Sequence, residues 1–426
     1  MRLIYGRRMR TLCTWILTGM GVCMRVAAAQ WGPETPLSAL PGDVYGEGIA
    51  VAGSTIHVIY GTNEVRYRKS VDEGLSWSAE RTIDNGVIHL TDPLIADGND
   101  VWGIVLKDIR YVSDWCCARD VGNVYLLHSG DAGQTWDAPI PLSTGQGAYR
   151  VSLAYAASRL HVVWMDYRSG VWDTYYRRSP DRGQTWDPEV RIALSAGVFG
   201  AERPQIAARG DAVHVTIWDD RSPNPPCMPG TFLFPNCPDV FHIASLNGGA
   251  TWGTEVNVAN AGAAFAGRND IAVTSSSVVI NYNRDVVGSD GQKLFAVRST
   301  DNGATWETPI QLTTTPGSSD HGSIIGDGGA VHLAWHDARD PQNLEIYYRR
   351  SLDSGGTWED EEHVSTGAAG DSSTPLLAAS ANAVHVLWID RRGGSFQVYY
   401  RRRIGELSDI VFRDGFESGS LVASHR

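Results

Sequence analysis

One eight-residue pattern, Ser-x-Asp-x-Gly-x-Thr-Trp, recurs along this chain and restricts its fold more than any other feature. It stands at residues 129–136, 179–186, 299–306 and 351–358. Two near copies lie at 70–77, with Ser76 in place of threonine, and at 245–252, with Asn247 in place of aspartate. Copies are spaced by about 50 to 66 residues, the period of a four-stranded propeller blade with its loops (Ser129 to Ser179 is the shortest step, Ser179 to Ser245 the longest). In each copy an aspartate accepts bonds from turn amides, a glycine supplies a positive-φ residue and a tryptophan packs between strands. A unit present in nearly every repeat holds the repeat together, so these boxes are read as structural.

A second repeat, "RLHVVW", "AVHVTIW", "AVHLAW" and "AVHVLW", alternates as a half-buried strand does. Its copies begin at Ile56, Val101, Leu160, Val213, Val278, Val331 and Val384, which makes seven units. The seventh has no box and no fourth strand. The segment "QWGPETPLSAL" from Gln30 resembles the stretch that succeeds a box elsewhere in the chain, and it is expected to supply the missing outer strand and remove an open edge. The fold class read from the chain is therefore all-β: a propeller of four-stranded blades, seven favoured over six, closed by the N-terminal strand. At 426 residues the chain exceeds what one hydrophobic core usually supports, which a ring of small cores accommodates.

Residues 1–29 read as a signal peptide: Arg2, Arg7, Arg8 and Arg10, then an apolar stretch over 12–24, then Ala27, Ala28 and Ala29. The propeller is assigned to 30–406 and a tail to 407–426. The expected location is secreted or periplasmic. Export leaves four cysteines, Cys116, Cys117, Cys227 and Cys237, which allow three pairings. A Cys227–Cys237 bridge across a Pro-rich insertion is the expected one. The spacing does not resemble a zinc site, and no metal or cofactor is expected. Net charge −12 argues against nucleic acid as a partner, and no further segment suits membrane insertion. A monomer is expected.

The boxes on a propeller resemble the sialidase (neuraminidase) superfamily, also called Asp-box or BNR-repeat proteins, over most of 31–405. That resemblance implies boxes on the face opposite the active site. On the other face, the position entering each first strand is Gly46, Thr91, Arg150, Arg203, Arg268, His321 and Thr374. Three consecutive arginines suit a ligand carboxylate through paired charge-assisted bonds. The resemblance implies an arginine triad of this kind, with "YRVS" at 149–152 in the place of the family's Phe-Arg-Ile-Pro motif but without its proline. The alternative is that each arginine staples neighbouring blades through an aspartate.

A sialidase also implies a tyrosine nucleophile activated by a glutamate, with an aspartate as acid/base. The residues nearest that pattern are Tyr149, Glu202 and Asp290. Further pocket candidates are His321, Arg284, Tyr45 and Trp115, the last in one of two long insertions at 107–123 and 221–239. Tyr282 aligns with the repeat tryptophans and is read as packing. The repeated Trp-x-Asp-x-Arg units (Asp166 with Arg168, Asp219 with Arg221, Asp337 with Arg339, Asp390 with Arg392) and the repeated His57, His161, His214, His332 and His385 are read as structural. Functionally the chain reads as a glycan-directed propeller that hydrolyses a terminal acidic sugar. The alternatives are a non-catalytic glycan- or protein-binding scaffold and a uronate-directed polysaccharide lyase with His321 or a tyrosine as base.

Overall fold

The computed structural model describes residues 30–404, except 39–43, 45, 62, 87–88, 114–117, 194–201, 222–236, 263, 287, 341 and 367–369. The signal-peptide and tail assignments, Tyr45, Trp115, Cys116, Cys117 and Cys227 lie outside the described residues. Among the described residues every regular element is a strand, and the strands form seven antiparallel blades, the second and third joined into one sheet where Ala148 pairs with Gly122. Blade one runs Glu47–Ala52, Thr55–Gly61, Glu64–Ser70 and Arg81–Asn85. The first strands of blades two to seven are His89–Asp97, Ala148–Ala156, Glu202–Arg209, Ala266–Val273, Ser319–Asp327 and Ser372–Ala379. Each of these packs on the next, and Ser372–Ala379 packs back on Glu47–Ala52.

Blade seven draws three strands from the C-terminal end and its outer edge from the N-terminal one. Gln30 pairs with Ile404 and Trp31 with Arg403; Thr35 pairs with Tyr400 and Pro36 with Tyr399. This is the arrangement expected from the absence of a box in the seventh unit, and it covers the exposed side of Gln397–Ile404.

The boxes join third to fourth strands. At 299–306, Ser299 Oγ donates to Asp301 Oδ1 (2.8 Å), while the Gly303 and Thr305 amides donate to Ser299 Oγ and Asp301 Oδ1 (both 2.8 Å). The Thr305 hydroxyl bond leads the bonds that hold the Asp301 carboxyl down at about 2. Each of four box tryptophans packs edge-on against the third strand of the preceding blade: Trp136 on Tyr67, Trp252 on Tyr176, Trp306 on His242 and Trp77 on Tyr400. Trp31 does the same to Tyr348, so the N-terminal segment stands in for the absent seventh box.

The box glycines have a second reason to be glycine. Gly249 has φ +81° and a Cβ there would lie 1.8 Å from the Tyr176 hydroxyl oxygen. Gly133 stands so toward Tyr67, and Gly74 toward Tyr400. The same tyrosines meet the repeated histidines from the other side, at 2.7 Å for His57–Tyr67 and His161–Tyr176 and 2.8 Å for His385–Tyr400. These histidines are fully buried and structural.

The Trp-x-Asp-x-Arg units are closed ion pairs. Asp166, with no exposed side-chain surface, accepts from Trp164 Nε1 (3.1 Å), the Arg168 amide (2.9 Å) and Arg168 Nη2 (2.6 Å). Asp337 and Asp390 repeat the scheme. The insertion at 107–123 differs from expectation. It is no loop but a hairpin extension of blade two, in which Asp100–Ser113 pairs with Ala118–Ser129 out to Ser113 and Ala118.

Candidate functional site

Five of the seven entering positions share one backbone geometry. Arg150, Arg203, Arg268, His321 and Thr374 have φ of 48°, 50°, 49°, 49° and 49°. Each sits in a register break of its blade, where one residue is extruded from the pairing of first and second strands. A left-handed non-glycine residue costs on the order of 1 kcal/mol, so this bulge is held by the surrounding sheet. Its effect is to turn each side chain out of the blade and toward the axis.

Arg150, Arg203, Arg268, His321 and Thr374 line one cavity of about 390 Å³, together with Glu47, Asp270 and Asn269. Apolar surface comes from Val44, Leu376, Ile389 and Phe396. The volume falls in the usual range for small-molecule sites.

The three arginines are not equivalent. Arg268 forms an ion pair with Asp320 and places Nη1 2.8 Å from His321 Nδ1. Asp320 is held low against the opposing effect of its burial, by its hydrogen bond to His321 and the charges of His321 and Arg268. Arg150 is exposed, with its guanidinium carbon 5.3 Å from the Tyr149 ring centre. Neither Arg150 nor Arg203 has an ion-pair partner among the described residues. Burial, then the charges of Arg150 and Arg268, pull the Arg203 guanidinium down to about 10. Arg268 is thus stapled to Asp320, while no such ion pair holds Arg150 or Arg203 among the described residues.

His321 packs at a tilt, ring centres 4.8 Å apart, against His336, a residue that sequence reasoning missed. Burial pulls His336 down to about 4, and its Nδ1 accepts the Thr374 amide at 3.4 Å. Asp320, His321 and His336 bring potential metal-ligand atoms within 4.8 Å of one another. The Arg268 guanidinium lies against two of the three and already supplies a cation there.

The expected catalytic trio is not assembled on the cavity wall. Glu202 is buried and meets the Arg119 guanidinium at 3.4 Å, reached from the blade-two hairpin. Arg119 also covers Trp172 and Tyr149, at 5.0 and 5.8 Å from their ring centres. Tyr149 stays half-buried in that group. Asp290 is exposed and accepts the Gly317 amide at 3.0 Å, which leads in holding its carboxyl low. Arg284 lies over Phe295, 5.5 Å from its ring centre, outside the cavity lining. Tyr282 is buried packing against Phe295, as expected. Cys237 is buried and disulfide-bonded; Cys227, its expected partner, lies outside the described residues.

Two residues of the site went unread in the sequence. Glu47 follows the entering Gly46, where blade two carries Asp92 and blades three to seven carry Val151, Pro204, Asn269, Gly322 and Pro375. His336 follows Trp335, where blades three and seven carry Met165 and Ile389. His336 is a departure from its repeat, the signal that already singled out His321, whereas Glu47 shares its acidic character with Asp92.

No family model and no curated protein sequence matches the chain. Among solved structures it is similar to a protein of unknown function from Dyadobacter fermentans, at 13% identity, over 89% of this chain and all of that one, with a TM-score of 0.52. It is also similar to an ulvan lyase of polysaccharide lyase family PL25, at 12% identity, over 88% of this chain and 94% of that one, with a TM-score of 0.53. The ulvan lyase bound to -[GlcA(1-4)Rha3S]- aligns at 11% identity over 83% and 90%, with a TM-score of 0.51. At such identities the likeness concerns the propeller fold.

Proposed function

We propose that this protein is an exported enzyme acting on acidic glycans, binding a sugar carboxylate through Arg150 and Arg203. The observation that carries the reading is that these two guanidinium groups face one cavity without an ion-pair partner among the described residues. Bringing three cations together costs energy unless an anion arrives, and a planar carboxylate offers paired charge-assisted bonds. Burial first, and then the charges of Arg150 and Arg268, disfavour the charged Arg203, and an anion bound beside it offsets that cost.

The reaction favoured by the lining is elimination from a uronate. Arginines neutralising the carboxylate acidify the adjacent C–H, and the His321 imidazole on the same wall takes that proton. The electron pair forms a C=C bond as the glycosidic C–O bond at the next carbon breaks, and the departing oxygen takes a proton from solvent. The similar ulvan lyase makes glucuronate-containing polysaccharides the first substrates to try. The second reading is sialidase-type hydrolysis of a terminal acidic sugar, favoured by the box resemblance and by Tyr149 packed beneath Arg150. Its tyrosine–glutamate couple requires Glu202 to leave Arg119.

The test is to incubate the protein with ulvan, glucuronan and pectate and follow the ultraviolet absorbance of unsaturated products. A parallel assay follows sialic acid release from a fluorogenic sialoside. Unsaturated product that disappears in Arg203→Ala supports elimination, and sialic acid release supports the second reading. Neither product with either substrate class overturns the enzyme and leaves the scaffold alternative.

A further inference from the structure

Seven blades set about an axis put blade one nearly opposite blade four, three steps one way and four the other. Blades three and four contribute Arg150 and Arg203, the cations of the lining with no ion-pair partner among the described residues. Blades one and seven contribute Glu47 and Thr374, and the Thr374 hydroxyl donates to Glu47 Oε1 at 3.1 Å across the seam between them. Glu47 is 3% exposed yet lines the cavity, so its carboxylate is part of the wall and not a solvated surface charge. Asp270, the other acid of the lining, spends its two oxygens on the Ile271 and Ile324 amides at 2.8 and 3.0 Å. The cavity is therefore polarised: cations on one side, and a hydrogen-bond-accepting carboxylate with its hydroxyl on the other.

We infer that Glu47 and Thr374 form a specificity site for the edge of the sugar remote from its carboxylate, selecting free hydroxyls and rejecting a second anion there. This rests on the proposed carboxylate site and adds to it a substrate class: sugar acids whose ring hydroxyls opposite the carboxyl group are unsubstituted. A ligand with its carboxylate on Arg150 and Arg203 turns that edge toward Glu47. A sugar hydroxyl donates to a carboxylate strongly, and Thr374 fixes the direction of the accepting oxygen. A sulfate ester at the same place sets two anions together in a largely desolvated wall, the repulsive element that sharp selectivity needs.

The probes are methyl glucuronoside and its 2-O-sulfate, with binding measured by calorimetry on the whole protein and on Glu47→Gln, Thr374→Val and Arg203→Ala. The wild-type protein is expected to bind the unsulfated probe about a hundredfold or more tighter than the sulfated one. In Glu47→Gln the unsulfated probe weakens by about tenfold, because an accepting charge is lost while an amide oxygen remains. The sulfated probe gains in the same variant, which a merely structural role for Glu47 does not produce. Thr374→Val loses affinity without gaining the sulfated probe. Should Glu47→Gln destabilise the fold, Thr374→Val still reads the site. Equal discrimination in wild type and Glu47→Gln overturns this inference alone, provided Arg203→Ala abolishes binding. Undiminished binding in Arg203→Ala overturns the carboxylate site itself.

Discussion

His161 offers a measurable consequence of how the blades are packed. It is fully buried, its Nδ1 lies 2.7 Å from the Tyr176 hydroxyl, and its Nε2 has no partner among the described residues. Burial, then the charges of Arg159 and Arg178, pulls it from the usual 6.5 to about 4. The unfolded chain binds a proton on this histidine as pH falls below 6.5, while the folded chain refuses it until about 4. Its stabilising effect is therefore complete above 6.5 and is lost through the window down to about 4. Between pH 7 and pH 5 the loss is about 2 kcal/mol for one such histidine. His57 is lowered to about 4 and His385 to about 3, burial leading in each. The three together remove about 5 kcal/mol, comparable to the whole stability of many domains. His214, His242 and His336 are lowered by burial as well and add to the wild-type slope, so the difference between wild type and a single-histidine variant carries the test. The assay is guanidinium unfolding at pH 7, 6 and 5, for wild type and His161→Gln, which keeps an acceptor for Tyr176. The variant should lose about 2 kcal/mol less than wild type between pH 7 and 5, whatever its starting stability. An unchanged pH slope would refute the account of these histidines as neutral core groups.

Three further outcomes are expected. Arg203→Ala should leave the melting temperature unchanged or raise it, because it removes a cation crowded by two others, whereas Asp166→Ala leaves Trp164 Nε1 and the Arg168 amide without their acceptor, with only Glu189 left to pair Arg168, and should cost roughly 2 kcal/mol or more; thermal melts of both decide it. Gly249→Ala should destabilise by roughly 3 kcal/mol, from its positive φ and the Tyr176 hydroxyl in its way, and Tyr176→Phe in the same chain should recover part of the loss in denaturant unfolding. Peptide mapping of exported protein without reduction should recover Cys237 in a bridge with Cys227, and a free Cys227 thiol would exclude that pairing.

The repeats carried most of what was legible. Seven second-strand starts, from Ile56 to Val384, fall within the seven second strands, because a half-buried strand imposes its alternation on every copy. The same alignment found the five residues that share the bulge. It did not reveal the bulge itself, since left-handed φ is usually announced by glycine or asparagine and here falls on arginine, histidine and threonine. Contacts made once in the molecule were the illegible part. The Arg119–Glu202 pair depends on where a long hairpin of blade two meets blade four, and no local pattern states that meeting. Glu47 and Thr374 lie 327 residues apart and touch only because the ring brings blade seven round to blade one.

That ring brings the first and last strands of the propeller side by side, with Gln30 and Ile404 paired in register at one end of an antiparallel seam. A force applied through both ends loads that seam by peeling, one pair after another, and not by shearing all pairs together. Trp31, wedged on Tyr348 and bonded to Glu362 at 2.7 Å, is the first firm resistance the peeling meets. Beyond it the load reaches the Tyr400 hydroxyl seated over Gly74, the contact that joins the last blade to the first. Mechanically the molecule is a clasped bracelet: weak at its clasp, and stiff around the remaining circumference, where adjoining blades are also joined by continuous chain.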